Sequence, residues 1–383
     1  MNTTKLLNTT ISILIFAYTV RAQDSGKPEP TVFTREKAVL EHHKIPHGPL
    51  PSKHHTHASS ITEAKDGTLL AAWFAGTREN AADVDIWVSR KAPGKSWSQP
   101  VVVDDGTRPV DGKDKEFSTW NPVLFTDPGS GRIYLWFKVT GEGRAAGYKN
   151  WWGAVRTSDD AGKTWSDRIW LPEIPRNAQT ETVFKPYNFH ATGPVKNRPL
   201  IMPDGSLLCG SSTESPTGWK THFEHYQAGD WTGRKHGVKI YGPIMDGRSI
   251  QPSFVTLSKD LKHLAAFTRD NGYTESRDGG RTWTKIRKSP ITTSKGLHAV
   301  TTGKNVHFLV FNKTRSRTPL GLARSVDGKT WKVIIEDLWS DGRQSMDYPT
   351  IMQTRDGKLH VVHTYGRNCI HHIVLDTAYL ERD

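Results

Sequence analysis

Apolar residues in this chain come in short bursts rather than at helical spacing. Past the first two dozen positions, runs of aliphatic, aromatic and β-branched residues follow tight-turn pairs: DGTLLAAW from Asp66, SGRIYLWF from Ser130, DGSLLCG from Asp204 and DGKLHVV from Asp356. An Asp-Gly step ahead of an apolar run predicts a hairpin, because the turn needs positive φ and glycine accepts it. A second turn recurs between these runs, as SDDAGKTW at Ser158, SRDGGRTW at Ser276 and SVDGKTW at Ser325. In it the hydroxyl and carboxylate can bond backbone N–H groups, while the Trp covers the joint between two strands.

Spacing turns these strands into an architecture. Trp97 (in the degraded copy SRKAPGKSW), Trp165, Trp231 (in AGDW), Trp283 and Trp331 recur at intervals of 68, 66, 52 and 48 residues. A period of about 50 to 60 residues holding four strands is one propeller blade, and the length accommodates about six. The pattern predicts an all-β, six-bladed β-propeller over residues 51–383, one domain in which each blade buries its faces against its neighbours. Residues 23–50, rich in Pro and charge, are expected to form an extended or loosely packed leader. A turn repeated around a ring is scaffold, so Asp160, Asp278 and Asp327 are assigned to turns and not to chemistry.

The first 22 residues change the setting. Lys5 precedes an apolar core from Ile11 to Val20, and VRA ends at Ala22, the pattern of a signal peptide. The core is too short for a bilayer span of roughly 20 residues. A secreted or periplasmic chain starting near Gln23, with no integral membrane span, is expected. Cys209 and Cys369, both in apolar runs, allow one disulfide or two buried thiols. Formal charge is +13, or +11 without Lys5 and Arg21, and favours an anionic partner. The cations are scattered, without the dense run of a nucleic-acid tail, so an acidic glycan is expected and nucleic acid is not. Histidines crowd HHKIPHGPLPSKHHTH (His42 to His57) and His371–His372. Their spacing is irregular and no Cys or carboxylate set accompanies them, so neither metal nor cofactor is expected.

The repeated turns resemble the Asp boxes of the sialidase (neuraminidase) superfamily, whose catalytic form is a six-bladed propeller. NPVLF (Asn121–Phe125), KNRPL (Lys196–Leu200) and GSSTES (Gly210–Ser215) resemble its bacterial-type branch, and the likeness covers roughly residues 50–376. It implies an exo-glycosidase that removes a terminal acidic, sialic-acid-like sugar, with a Tyr nucleophile in place of one of the usual two carboxylates. Position by position, DYPTIMQTRDGKLHVVHTY puts Tyr348 at the nucleophile. QPSFVTLSKDLKHLAAFTR gives Arg269 as second arginine of a carboxylate-binding triad, and SRTPLGLARSVDGKTW gives Arg317, ahead of Arg315, as third. LLAAWFAGTRENAADVDIWVSR gives Arg78 as a further binding residue and Asp83 as acid/base, with Asp85 and Glu79 as rivals. Arg198 is a further binding candidate.

Two departures stand out. His57, in HHTHASSI, occupies the first-arginine position, with Lys53 the nearest cation, and Gln251 replaces the glutamate that activates the tyrosine. A His is smaller than Arg and only partly charged near neutrality, which suits a base better than a bidentate clamp. Glu214 and Glu224 are the available substitutes for the missing glutamate. These losses keep two alternatives open: a propeller hydrolase or lyase for another sugar such as a rhamnoside or uronate, and a non-catalytic glycan-binding propeller.

Overall fold

The computed structural model describes residues 32–50, 54–141, 150–177, 180, 190–215, 218–241 and 249–382. Residues 1–22, expected to be a signal peptide, and Lys53 lie outside the described residues. Residues from Phe33 onward form one compact unit.

Among the described residues, six four-stranded antiparallel sheets form the ring, and a two-stranded ribbon pairs Arg108–Val110 with Lys113–Lys115 beside it. Blades one to five run in chain order through residues 55–104, 119–170, 200–241, 253–288 and 297–335. Blade six takes three strands from residues 346–375 and its outer strand from Val39–Ile45. That strand pairs antiparallel with Cys369–Leu375, from Val39 opposite Leu375 to Ile45 opposite Ile370. The ring therefore begins inside the stretch expected to be a loose leader. Pattern reading misses it because VLEHHKI is an edge strand whose side chains are mostly half-buried or exposed, with no apolar face to announce it.

The period-2 alternation of the strands has a direct structural meaning. On Ile133–Thr140, Ile133, Leu135, Phe137 and Val139 pack toward blade one, while Tyr134 and Trp136 pack toward blade three. Each of six apolar clusters fills one blade-to-blade joint, and the one joining blade six to blade one completes the ring. Cys209 and Cys369 are free and buried.

The turn motifs sit between the third and fourth strands of blades two, four and five. At Asp278, the N–H groups of Arg281 and Thr282 donate to Oδ1 at 3.0 and 2.9 Å, and the Thr282 hydroxyl donates to Oδ2 at 2.6 Å. Asp160 and Asp327 repeat the arrangement. The motif glycine is fixed twice over. Gly328 has φ +67°, and a Cβ there would collide with a Leu257 methyl of the preceding blade.

Candidate functional site

Each inner strand starts at one rim of the ring. Antiparallel order returns the connection between second and third strands to that same rim. Two kinds of position therefore converge there. At the inner strands, Ala58, Asn121 and Tyr348 have φ of +57°, +46° and +48°, where the pairing slips by one residue. Lys196 and Gln251 take φ of +68° and +58° just ahead of the inner strands of blades three and four. A bulge re-aims a side chain, and positive φ costs energy in a residue as bulky as Tyr. Recurrence in five blades makes the kink a property of the ring. At Tyr348 it turns a phenol across the axis.

Tyr348 is buried and touches three other blades. Its oxygen accepts from Arg269 Nη1 at 2.9 Å and from Gln251 Nε2 at 3.3 Å, both of blade four. The His57 ring of blade one lies edge-on at 4.3 Å between centroids. The Arg317 guanidinium of blade five stands 5.4 Å from the phenol ring. Beside it, the buried Asp347 carboxylate lies 3.3 Å from Arg317 Nη1 and 3.3 Å from Arg367 Nε. Arg367 Nη1 also donates to Glu79 Oε2 at 2.6 Å. Burial alone would push Arg367 down, but Glu79 and then Asp347 hold it above its ordinary value. Glu79, Arg269, Arg317 and Arg367 all come from second-to-third-strand connections, in blades one, four, five and six. The result is three guanidinium groups and two carboxylates around one phenol.

The structure thus brings Tyr348, Arg269, Arg317, His57 and Gln251 together, and it revises several expectations. His57 is not partly charged: burial, then Arg367, Arg317, Arg269 and Lys196, push the imidazole well below its usual range. Its Nε2 faces Arg317 Nη1 at 3.4 Å, and Nδ1 is 3.8 Å from Asp347, too far for a hydrogen bond. It stands as a neutral acceptor, neither a cation for a carboxylate nor a free base. The cation expected to be missing beside it is Arg367, which sequence reasoning passed over. It belongs to no quoted motif, sitting in the TYGRN turn 310 positions from His57, and ring closure alone brings the two together. Glu224 is no substitute for the missing glutamate. Its carboxylate is buried, accepts from Gly193 N at 2.6 Å and the Tyr226 hydroxyl at 2.8 Å, and meets His222 at 2.9 Å. The Glu214 side chain lies outside the described residues.

Other candidates stand apart from the cluster. Arg78 is exposed, and its guanidinium makes no hydrogen bond or ion pair among the described residues. Asp83, also exposed, accepts from the N–H and hydroxyl of Thr77 in its own loop. Its rival Asp85 opens the third strand of blade one, and burial with the charges of Asp105, Glu116, Asp83 and Asp104 pushes its carboxyl up to about 7. Arg198 does not join the tyrosine. It lines a cavity at the opposite rim, with Phe125, Phe254 and His298. Two residues beyond the Lys196 kink, it has already passed to the far side of the ring. Among the described residues no group of three or more His, Cys, Asp or Glu is placed to hold a metal ion, and no helix is long and apolar enough to cross a membrane.

The BNR repeat-like domain family matches residues 67–361. The chain belongs to that family. No curated protein matches it in sequence. Among solved structures, this BNR repeat-like chain is similar to a protein of unknown function from Dyadobacter fermentans, with 16% identity over 88% of this chain and 98% of the other and a TM-score of 0.68. It is similar to the intramolecular trans-sialidase of Ruminococcus gnavus, with 14% identity over 86% and 96% and a TM-score of 0.60. The GH93 α-L-arabinofuranosidase of Fusarium graminearum is similar too, with 15% identity over 89% and 98% and a TM-score of 0.59. At these identities the likeness is one of fold: the sialidase-type six-bladed propeller.

Proposed function

We propose that this chain is an exported exo-glycosidase of the sialidase superfamily that removes a terminal acidic sugar from a glycan. The observation that carries the reading is the phenol of Tyr348 held at the ring axis by Arg269, with Arg317 and Arg367 beside it. Three guanidinium groups against Asp347 and Glu79 leave one positive charge in excess, which favours an anionic sugar. The phenol oxygen, keeping its proton, stabilises an oxocarbenium-like anomeric carbon through its lone pair. Its hydrogen bond from Arg269 strengthens if that oxygen gains negative charge. The proton for the leaving oxygen comes from the carboxyls at the same rim. Asp83 is exposed there, and Asp85 holds its proton near neutral pH, as a general acid must.

A second reading, a neutral terminal sugar, is favoured by one contact. Asp347 already faces both Arg317 and Arg367, so part of the charge that would grip a substrate carboxylate is answered from within. A similar fold serves the Fusarium arabinofuranosidase.

The experiment is a panel of chromogenic sialosides, uronides and neutral glycosides, with absorbance of a new double bond followed in parallel. Hydrolysis of acidic glycosides, lost by about 1,000-fold or more in Tyr348→Phe without loss of fold, is the expected result. Turnover of neutral glycosides alone would establish the second reading. Full activity in Tyr348→Phe would remove the tyrosine from the chemistry.

A further inference from the structure

The rim opposite Tyr348 carries its own cavity, of about 670 Å³, within the range of small-molecule sites. Its walls are the far ends of the inner strands together with first-to-second-strand connections such as Pro128, Ser258–Lys259 and Gly303. Apolar surface dominates, from Phe125, Phe254, Leu200 and Ile351. Lys196, whose ammonium donates to the Pro349 carbonyl and reaches the Thr350 hydroxyl at 3.3 Å, lies between this cavity and the phenol.

One side chain does not fit an apolar hole. The Arg198 guanidinium lines the cavity with its plane carbon 5.2 Å from the Phe125 ring centroid. Its Nε is buried without a hydrogen-bond partner. No Asp or Glu is among the residues lining the space, and the other charged group there is again a cation, Lys259. The backbone under Arg198 is anchored: its N–H donates to His298 Nε2 at 3.3 Å, and His298 Nδ1 is bonded to the Ile351 carbonyl at 2.9 Å. Burial, then the charges of Lys196 and Arg198, push His298 well below its usual range, so it is a neutral brace and competes for no anion. The Arg198 side chain is half-buried, and its unpaired Nε, with no counter-ion on the cavity walls, leaves a donor that a bound anion would satisfy.

We propose that this cavity is a binding site for a small organic anion, a carboxylate, phosphate or sulfate carried on an aromatic or other apolar body. The acidic group pairs with Arg198 and the body lies on the Phe125, Phe254 and Ile351 surface. Burial pushes Arg198 down only to about 10, so the guanidinium remains charged at neutral pH and the site stays selective for anions. The proposal is independent of any glycosidase activity at the other rim.

Calorimetric titration with phenyl phosphate, benzoate and the uncharged benzyl alcohol tests it. Saturable binding of both anions is expected, with benzyl alcohol binding at least about tenfold more weakly. Arg198→Met should weaken phenyl phosphate by about 10- to 100-fold. An Arg269→Leu/Arg317→Leu double variant, altered only at the tyrosine rim, should bind it as the wild type does. Should Arg198→Met fail to fold, Val300→Trp, at a half-buried position on the cavity wall, takes its place and should abolish binding by obstruction. Equal binding of benzyl alcohol, binding retained in both cavity variants, loss of binding in the double variant, or no saturation by about 10 mM each overturns the proposal.

Discussion

Asp278 and Asp347 are both aspartates at strand ends, and the ring uses them in opposite ways. Asp278 lies in the peripheral turn between third and fourth strands and gives its carboxylate to donors within four residues of itself. Asp347 is buried at the inner edge and faces guanidinium groups supplied by two distant connections, Arg317 and Arg367. The first arrangement needs nothing from outside its own blade, and blades two, four and five repeat it. The second exists once, because only closure of the whole ring assembles it. Repetition marks scaffold; a constellation found once marks the place for chemistry.

The sharpest way to break this contrast is Asp347→Asn. Removing the anion leaves Arg317 and Arg367 facing each other half-buried, and stability should fall by about 3 kcal/mol in urea unfolding. An unchanged midpoint would show that solvent already screens the cluster. Asp278→Ala should cost less, about 1–2 kcal/mol, while sugar turnover at saturating substrate stays within about twofold. A large loss of turnover with the fold intact would move the peripheral turn into the site.

The smallest effect expected at neutral pH concerns acid. At the joint of blades one and six, Trp97 Nε1 donates to His372 Nδ1 at 3.3 Å, and within blade six His372 Nε2 meets His360 Nδ1 at 2.8 Å. His42 Nε2 meets His371 Nδ1 at 3.0 Å across the seam with Val39–Ile45. Burial, more than the charges of His363, His42 and Lys44 and against the smaller upward pull of Asp341, pushes His371 from 6.5 down to about 3. His360 falls to about 4, chiefly by burial, with Asp356, Lys358, Glu41 and Lys91 nearby. The folded state refuses protons that the unfolded chain accepts, so this contribution is complete above about 6.5 and is lost as pH falls toward 4 and then 3. The peripheral carboxylates titrate lower: the Thr330 and Lys329 N–H groups hold Asp327 down to about 2, and its contribution is lost only below about 3.8. Hydrogen exchange followed from pH 7 to pH 4 should therefore show the blade-six seam opening before the Asp-box turns. Simultaneous loss of protection in both regions would contradict the assignment.

The same contrast explains what could be read from the chain. Asp-box turns and Asp-Gly hairpins are local chemistry, each complete within about eight residues, so blade number and order were legible. Tyr348, Arg269 and Arg317 were reachable because each lies in a stretch with its own recognisable pattern. Arg367 was not, since the TYGRN turn resembles any other until ring closure sets it beside His57. The neutrality of His57 was hidden for a related reason: it is imposed first by burial inside the closed ring and then by cations from blades four, five and six and by Lys196. Arg198 was named only as a further binding residue, and its place at the rim away from Tyr348 was not legible because a motif gives no depth along a strand.

The seam in blade six also bears on how the molecule comes into being. His42 and His371 are 329 positions apart, so the earliest-made strand of the ring has no partner until nearly the last one leaves the ribosome. Five blades can settle as they emerge, each against the one before, while the sixth waits with an unpaired edge. Such a long-range pairing is slow to find, and until it forms the bare edge is where a nascent chain is open to mispairing with its neighbours.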